Sequence, residues 1–342
     1  MPIDLTGRQQ FILAQVVQNY VTMATPIGSE LIAQRMPMRT SSATVRNEMA
    51  ALEELGYLMH PHTSAGRVPT AKGYRYFVER LMEQSDLTEA EKRTIQHQFH
   101  QAHLDLEQWM RLAAAVVSHT AQSTALVTAP KSPQSYFKHL ELLAISENLI
   151  LVLLVLRDGT VKQQMTATPQ PAPAQEELSV LSAQLNAHLA GLNARGVSAL
   201  MAEAHGLEAQ VLDRVATIMY QIDHRGNLEI YRDGLSLMLQ QPEFKSGSHA
   251  ERLMHMLEAG TSMERLLDEA ATANGVQIVI GGDERWSDMR DVSLILARYG
   301  GMAEATGVVA VLGPLRMSYG RAISTVRFVA SVMDGLVEWI YK

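Results

Sequence analysis

Apolar positions in the first eighty residues recur at helical spacing. Leu5, Ile12, Val16 and Tyr20 predict an amphipathic helix over about Thr6 to Met23, which Thr25-Pro26 breaks. Gly28-Ser29 precedes a short second helix, about Glu30 to Arg35, with Leu31 and Ile32 inward and Pro37 beyond its end. Ser41 or Ser42 caps a third helix that runs to Leu55. Val45, Met49 and Leu52 stand at i, i+4 and i+7 and form its buried stripe; Gly56 ends it. Tyr57, Leu58 and Met59 read as a strand, His60 to Arg67 as a loop, and Val68 as a second short strand. Thr70 caps a fourth helix, about Ala71 to Met82. Three helices followed by a two-stranded hairpin make a winged helix-turn-helix.

Beyond Met82 the pattern is polar and helical to about Gln122, in one or two pieces, with Trp109, Leu112, Val116 and Val117 as a late apolar face. Pro130 and Pro133 mark a loop. Leu140 to Ile145, Leu149 to Leu156 and Val161 to Met165 read as three antiparallel strands, with turns at Ser146-Glu147-Asn148 and Arg157-Asp158-Gly159. The run from Thr168 to Pro173 is a proline-rich linker. Residues 175–220 are helical by pattern, with Leu178, Leu181, Leu185 and Leu189 at three- and four-residue steps. A strand cue at Asn227 to Tyr231 is followed by Gly234 to Leu239 and by Gln241-Pro242-Glu243-Phe244. A helical region spans about Ala250 to Ala273. Strand-like runs return at Val276 to Ile280, Val292 to Ala297 and Gly307 to Leu312, and a last helix runs from about Tyr319 to Tyr341. Strands, a helical interruption and more strands predict one α+β domain with an insert. The inserted helices could build an oligomer interface or pack on their own domain.

The candidate chemistry sits opposite the buried stripe of the third helix. Ser42, Arg46 and Asn47 point away from it, with Thr44 near its edge, and all crowd the end that enters the major groove in helix-turn-helix proteins. Arginine pairs with guanine in bidentate fashion, and asparagine with adenine. Short hydroxyl side chains such as Ser41 and helix N-terminal amides suit phosphates. The bland alternative is a plain N-cap with Arg46 paired to Glu53 or Glu54. The loop that follows, His60-Pro61-His62-Thr63-Ser64-Ala65-Gly66-Arg67, tilts the reading toward DNA. It can wrap a backbone closely, Gly66 allows a positive φ at the tip, and Arg67 can reach a phosphate or the minor groove. The two histidines lack the further ligands a metal site needs.

Charge sharpens this picture slightly. The net charge of −7 is uneven: residues 1–80 carry eight Lys or Arg against six Asp or Glu, and the rest is acidic. Such a head permits a nucleic-acid contact. With 47% apolar and 19% charged residues the 342-residue chain is of folded type, in two or three domains. The absence of cysteine excludes disulfides, thiolate metal sites and a cysteine nucleophile, and fits a reducing cytoplasm. No apolar run reaches the roughly 18 residues of a spanning helix, and the first residues lack a secretory pattern.

Two glycine motifs invite catalytic readings. Gly281-Gly282-Asp283-Glu284-Arg285 is similar to the diguanylate cyclase signature, but Arg285 replaces its aromatic residue and no upstream acidic strand end accompanies it. Gly313-Pro314-Leu315-Arg316 lacks the Gly-Lys-Ser/Thr of a phosphate loop. No catalytic residue, metal ligand or cofactor is expected.

Ser41-Ser42-Ala43-Thr44-Val45-Arg46-Asn47, the run Pro61 to Thr70, and Gly73-Tyr74-Arg75-Tyr76 resemble the bacterial heat-inducible transcription repressor family HrcA. Gly234-Leu235-Ser236, Gln241 to Phe244, Asp291 to Ile295 and Gly313 to Tyr319 agree in family order. The resemblance implies a winged-helix domain over 1–85, a discontinuous GAF-like domain over 86–168 and 240–342, and an inserted dimerising domain over 169–239. It implies a homodimer that binds double-stranded DNA at an inverted-repeat operator, the CIRCE element, and represses chaperone operons of the groE and dnaK type. The GroEL chaperonin would keep the repressor competent, and heat shock would release it. The implied location is cytoplasmic and nucleoid-associated. Ser41, Ser42, Thr44, Arg46, Asn47, His62, Thr63, Ser64, Gly66 and Arg67 form the expected DNA-binding set. The alternative from the residues is a small-molecule-responsive regulator gated through the GAF-like domain.

Overall fold

The structure is a computed structural model that describes residues 5–61, 66–83, 86–102, 105–131, 134–168, 173–225, 229–245, 247–259, 261–281, 289–301 and 305–341. The chain divides into two compact units. The first comprises Met1–Pro130, Glu229–Gly300 and Gly307–Leu336; the second comprises Lys131–Leu228, Gly301–Thr306 and Val337–Lys342. Among the described residues no helix is long and apolar enough to cross a membrane.

The first unit opens with α1 (Gly7–Met23), α2 (Ser29–Arg35) and α3 (Ser42–Glu54), then β1 (Leu58–Met59), β2 (Val68–Pro69) and α4 (Ala71–Tyr76), which runs on as a π-helical turn, Phe77–Leu81. Thr6 and Gln9 close a capping box on α1, and Ser41 caps α3 by accepting from the Thr44 N–H at 3.1 Å. The buried Ile12, Leu13, Val16 and Val17 of α1 and Ile32 of α2 pack with the predicted stripe Val45, Met49 and Leu52, which is completely buried. β1 and β2 pair antiparallel, Leu58 opposite Pro69 and Met59 opposite Val68.

The same unit continues with α5 (Glu89–Gln101), α6 (Leu106–Ala121) and β3 (Thr124–Thr128), and resumes after the excursion with β7 (Ile230–Asp233). There follow α10 (Leu235–Leu239), α11 (Gly247–Ala259), α12 (Thr261–Thr272), β8 (Val276–Ile280), β9 (Val292–Gly301), β10 (Ala305–Pro314) and α13 (Tyr319–Tyr341). Five strands form one sheet in the order β7-β3-β10-β9-β8. β3 was not expected: its five residues are buried throughout, so no alternation marks them off from the apolar end of α6.

The second unit holds β4 (Phe137–Ser146), β5 (Leu149–Leu156), β6 (Val161–Ala167), α7 (Gln175–Leu189), α8 (Ala194–Leu200) and α9 (Gly206–Arg225). The three strands form their own antiparallel sheet, β4-β5-β6. Ile150, Val152, Leu154 and Leu156 face Leu178, Leu185, Leu189, Val211 and Val215 in one core. The expected boundary at 168/169 therefore falls inside this unit, because these strands share a core with the helices that follow. Three side chains of α7 satisfy the outer edge of β4. Asn186 accepts from the Leu140 N–H and donates to its carbonyl, Ser182 accepts from the Leu142 N–H, and Gln175 bonds the Leu142 carbonyl and the Ala144 N–H. An edge covered in this way is closed to a further strand.

Candidate nucleic-acid interface

The outer face of α3 is built by what its inner face buries. With Val45, Met49 and Leu52 inward, Ser42, Ala43, Arg46 and Asn47 are exposed, and Thr44 is half-buried. Ser41 Oγ lies 2.9 Å from Thr44 Oγ1, so the two hydroxyls stand together at the helix N-terminus. Among the described residues neither Arg46 nor Asn47 has a hydrogen-bond or ion-pair partner. Both are free to reach base edges. Arg39, which sequence reasoning passed over, is exposed two residues ahead of the cap and adds a cation to the same end.

The bland alternative, with Arg46 paired to Glu53 or Glu54, is not what the described residues show. Glu53 Oε2 accepts from Arg67 Nε at 3.0 Å, and Oε1 lies 2.6 Å from His60 Nδ1. The hydrogen bond from His60 does most to hold the Glu53 carboxyl below its ordinary value; burial opposes it, and the hydrogen bond from Arg67 adds a smaller downward effect. Arg67, with only 11% of its side chain exposed, lies along the helix rather than out toward solvent. Its backbone exchanges two hydrogen bonds with Ile27, each 2.9 Å. Gly66 also differs from expectation. It has no positive φ; a Cβ there would collide with the Ile27 carbonyl oxygen, so the glycine is needed for close approach. His62, Thr63 and Ser64 lie outside the described residues.

The base of the hairpin is tied down further. The Thr70 hydroxyl donates to the Gly56 carbonyl at 2.7 Å, and Lys72 Nζ donates to the Leu55 carbonyl at 2.7 Å while sitting over the Tyr57 ring. Two arginines dock this head on the rest of the unit. Arg75 donates to the carbonyls of Ile280 and Gly281 at 2.9 and 3.1 Å. Arg316 donates to the Val21 carbonyl at 3.1 Å, to Gln241 Oε1 at 2.7 Å and to Glu243 Oε1 at 2.5 Å. The Arg316 partners, Gln241 and Glu243, come from motifs that the sequence showed without a role.

Residues 4–83 match the family model for the HrcA DNA-binding winged helix-turn-helix transcription repressor, and residues 107–323 match that for the HrcA protein C-terminal domain. The chain belongs to the HrcA family. The heat-inducible transcription repressor HrcA of Roseiflexus sp. (strain RS-1) is 44% identical, aligned over all of this chain and 97% of its own length. The HrcA protein of Herpetosiphon aurantiacus is also 44% identical, over 100% of this chain and 98% of its own. That of Dehalococcoides mccartyi (strain 195) is 38% identical, over 98% and 97%. A crystal structure described as that of a hypothetical protein shares the fold, with a TM-score of 0.60 over 98% of both chains at 21% identity. HrcA membership accounts for the winged head and places the elements from α6 to the first turn of α13 in the family's C-terminal domain.

Proposed function

We propose that this chain is a sequence-specific repressor of heat-shock chaperone operons, of the groE and dnaK type, acting at an inverted-repeat operator of the CIRCE kind. The observation that carries the reading is the exposed N-terminal face of α3, where Arg46 and Asn47 stand without partners among the described residues beside the Ser41 and Thr44 hydroxyls on the head of an HrcA-family chain. Arg46 and Asn47 read bases, and Ser41, Ser42 and Thr44 meet phosphates. Two heads on a twofold dimer match the two halves of an inverted repeat.

The division of labour follows the family: residues 1–85 bind DNA, the five-stranded sheet forms a GAF-like body, and the inserted unit dimerises. The insert supports this with an apolar outer sheet face. Leu143, Leu151 and Met165 stand side by side across β4, β5 and β6, turned away from the helices. The repressor works in the cytoplasm on nucleoid DNA, and the GroEL chaperonin keeps it competent until heat shock diverts the chaperonin. An anisotropy titration against an inverted-repeat chaperone-promoter fragment and a scrambled one, at two salt concentrations and with and without chaperonin, tests the reading. Selective binding, with an active fraction raised by chaperonin, is expected; equal weak binding to both fragments under every condition overturns it.

A further inference from the structure

We propose that Glu53 is a positioning residue for DNA binding, and that Arg67 serves as its strut rather than as a phosphate contact. This rests on the DNA-binding reading above.

Glu53 lies on α3, in the turn before the helix ends, while its two partners belong to the hairpin that follows. His60 is the residue after β1, and Arg67 immediately precedes β2. One carboxylate therefore spans both strands of the hairpin base and fixes them to the helix whose opposite end carries Arg46 and Asn47. The hydrogen bonds are 2.6 Å to His60 and 3.0 Å to Arg67, and each uses a separate carboxylate oxygen. The Ile27–Arg67 bridge and the close approach of Gly66 to the Ile27 carbonyl hold the other side of the same strand. Among the described residues the hairpin has two residue pairs of its own, too few to define its angle to α3. The Thr70 and Lys72 bonds hold the base of the hairpin to the end of α3, and the Glu53 clasp with the Ile27 bridge holds the strands beyond it. A site that must meet DNA through two elements needs them held to a fraction of an ångström.

The clasp predicts an effect opposite in sign to simple electrostatics. Glu53 is a negative charge beside a DNA-binding face, so removing it should strengthen binding to any DNA if charge alone mattered. If Glu53 positions the hairpin, Glu53→Ala weakens operator binding instead, by about tenfold, a size typical of coupled contacts. Arg67→Ala causes a loss no larger than that of Glu53→Ala, because the Glu53–His60 bond remains. The double variant Glu53→Ala/Arg67→Ala loses no more than Glu53→Ala alone, since Arg67 acts through Glu53. The slope of log K against log salt stays at the wild-type value in all three, whereas loss of a true phosphate contact lowers it by about 0.9.

The test is an anisotropy titration of the full-length wild type and the three variants against operator and scrambled fragments at several salt concentrations. Melting curves show that each variant folds. If a single variant does not fold, the charge-swapped Glu53→Arg/Arg67→Glu protein serves in its place, and recovery of at least half the wild-type operator affinity is expected. Tighter operator binding by Glu53→Ala, or a flatter salt slope for Arg67→Ala, overturns the proposal. A wild type that fails to distinguish operator from scrambled DNA overturns the DNA-binding reading itself, a separate outcome.

Discussion

Arg316 Nη1 donates to the backbone carbonyl of Val21 at 3.1 Å, so a side chain from the loop after β10 closes on the last turn of α1. The same guanidinium holds Gln241 and Glu243, and only 12% of the Arg316 side chain is exposed. The head is thus seated on the body by a partly buried cation that satisfies a helix-end carbonyl and a carboxylate together. Removing it leaves the Glu243 carboxylate without its cation in a half-buried place. Arg316→Ala is expected to destabilise the protein by roughly 3 kcal/mol, near the lower end for breaking a buried pair. Urea unfolding followed by circular dichroism checks this, and a loss below about 1 kcal/mol would count against the joint.

Arg46 is the most informative position on α3 for specificity. Its side chain is exposed and has no partner among the described residues, so Arg46→Ala is expected to leave the melting temperature unchanged. It is expected to weaken operator binding by about 1–3 kcal/mol and to relax preference at one base position, as loss of a bidentate base contact does. Competition with single-base operator variants measures both. Identical binding profiles for Arg46→Ala and wild type would remove α3 from the role of reader.

Much of this was legible in the chain. The helices of the head follow from caps and stripes: Ser41 and Thr70 each accept from a backbone N–H as expected of caps, and Thr6, where the first helix was expected to start, does the same for α1. The exposed face of α3 followed from the same periodicity. Long-range partners were less visible. Glu53 finds its partners seven and fourteen residues away across a turn, a spacing no helical rule flags. β3 escaped because a strand buried on both faces has no period. The apolar runs and the turns between them marked β4 to β6 as antiparallel strands, but which helices cover the sheet depends on contacts such as Asn186 with Leu140, 46 residues apart.

Gly73 tests how tightly α4 sits on the hairpin. A Cβ at this position would collide with the Tyr57 carbonyl oxygen, which already accepts from the Thr70 N–H at 3.0 Å. A backbone acceptor cannot swing aside as a flexible side chain can. Gly73→Ala is expected to cost about 1–3 kcal/mol through overpacking, although alanine is the better helix former. Thermal melting checks it. A stabilised Gly73→Ala protein would show that α4 can move away from the hairpin.

Tyr74 and Tyr319 contact each other with ring centroids 5.9 Å apart, yet their hydroxyls differ. Tyr319 donates to the Leu315 carbonyl and shares a hydrogen bond with Ser293, both 2.7 Å, whereas the buried Tyr74 hydroxyl has no partner among the described residues. Burial pushes both phenols above their ordinary range. The unfolded phenol ionises near pH 10 and the folded one higher. This contribution to stability is therefore complete below about pH 10 and is lost as pH rises through the folded value. At neutral pH, Tyr319→Phe is expected to cost about 1 kcal/mol and Tyr74→Phe nothing or slightly less than nothing. Above about pH 10 each variant should lose stability less steeply than wild type. Urea titrations at neutral and alkaline pH measure both; parallel curves for variant and wild type would show that these phenols do not set the alkaline limb.

The outer face of the insert's sheet supplies the test of assembly. Alternation along β5 sends Ile150, Val152, Leu154 and Leu156 into the core and leaves Leu149, Leu151, Leu153 and Val155 half-exposed on the other side. Leu143 and Met165 flank Leu151 with 39% and 62% of their surfaces exposed. Contiguous apolar patches of this kind are uncommon on monomers and mark contact surfaces. A lysine at the centre costs the isolated unit little, because its stem can lie along the sheet with the ammonium in water. Across a twofold interface the same change places two charges in an apolar contact. Leu151→Lys is therefore expected to leave secondary structure and melting of the monomeric fold intact while converting the proposed dimer to monomer in sedimentation velocity. Operator binding should fall with it, because each half-site is then held by one head alone. A Leu151→Lys protein that sediments as the wild type does would move the interface to another face of the molecule.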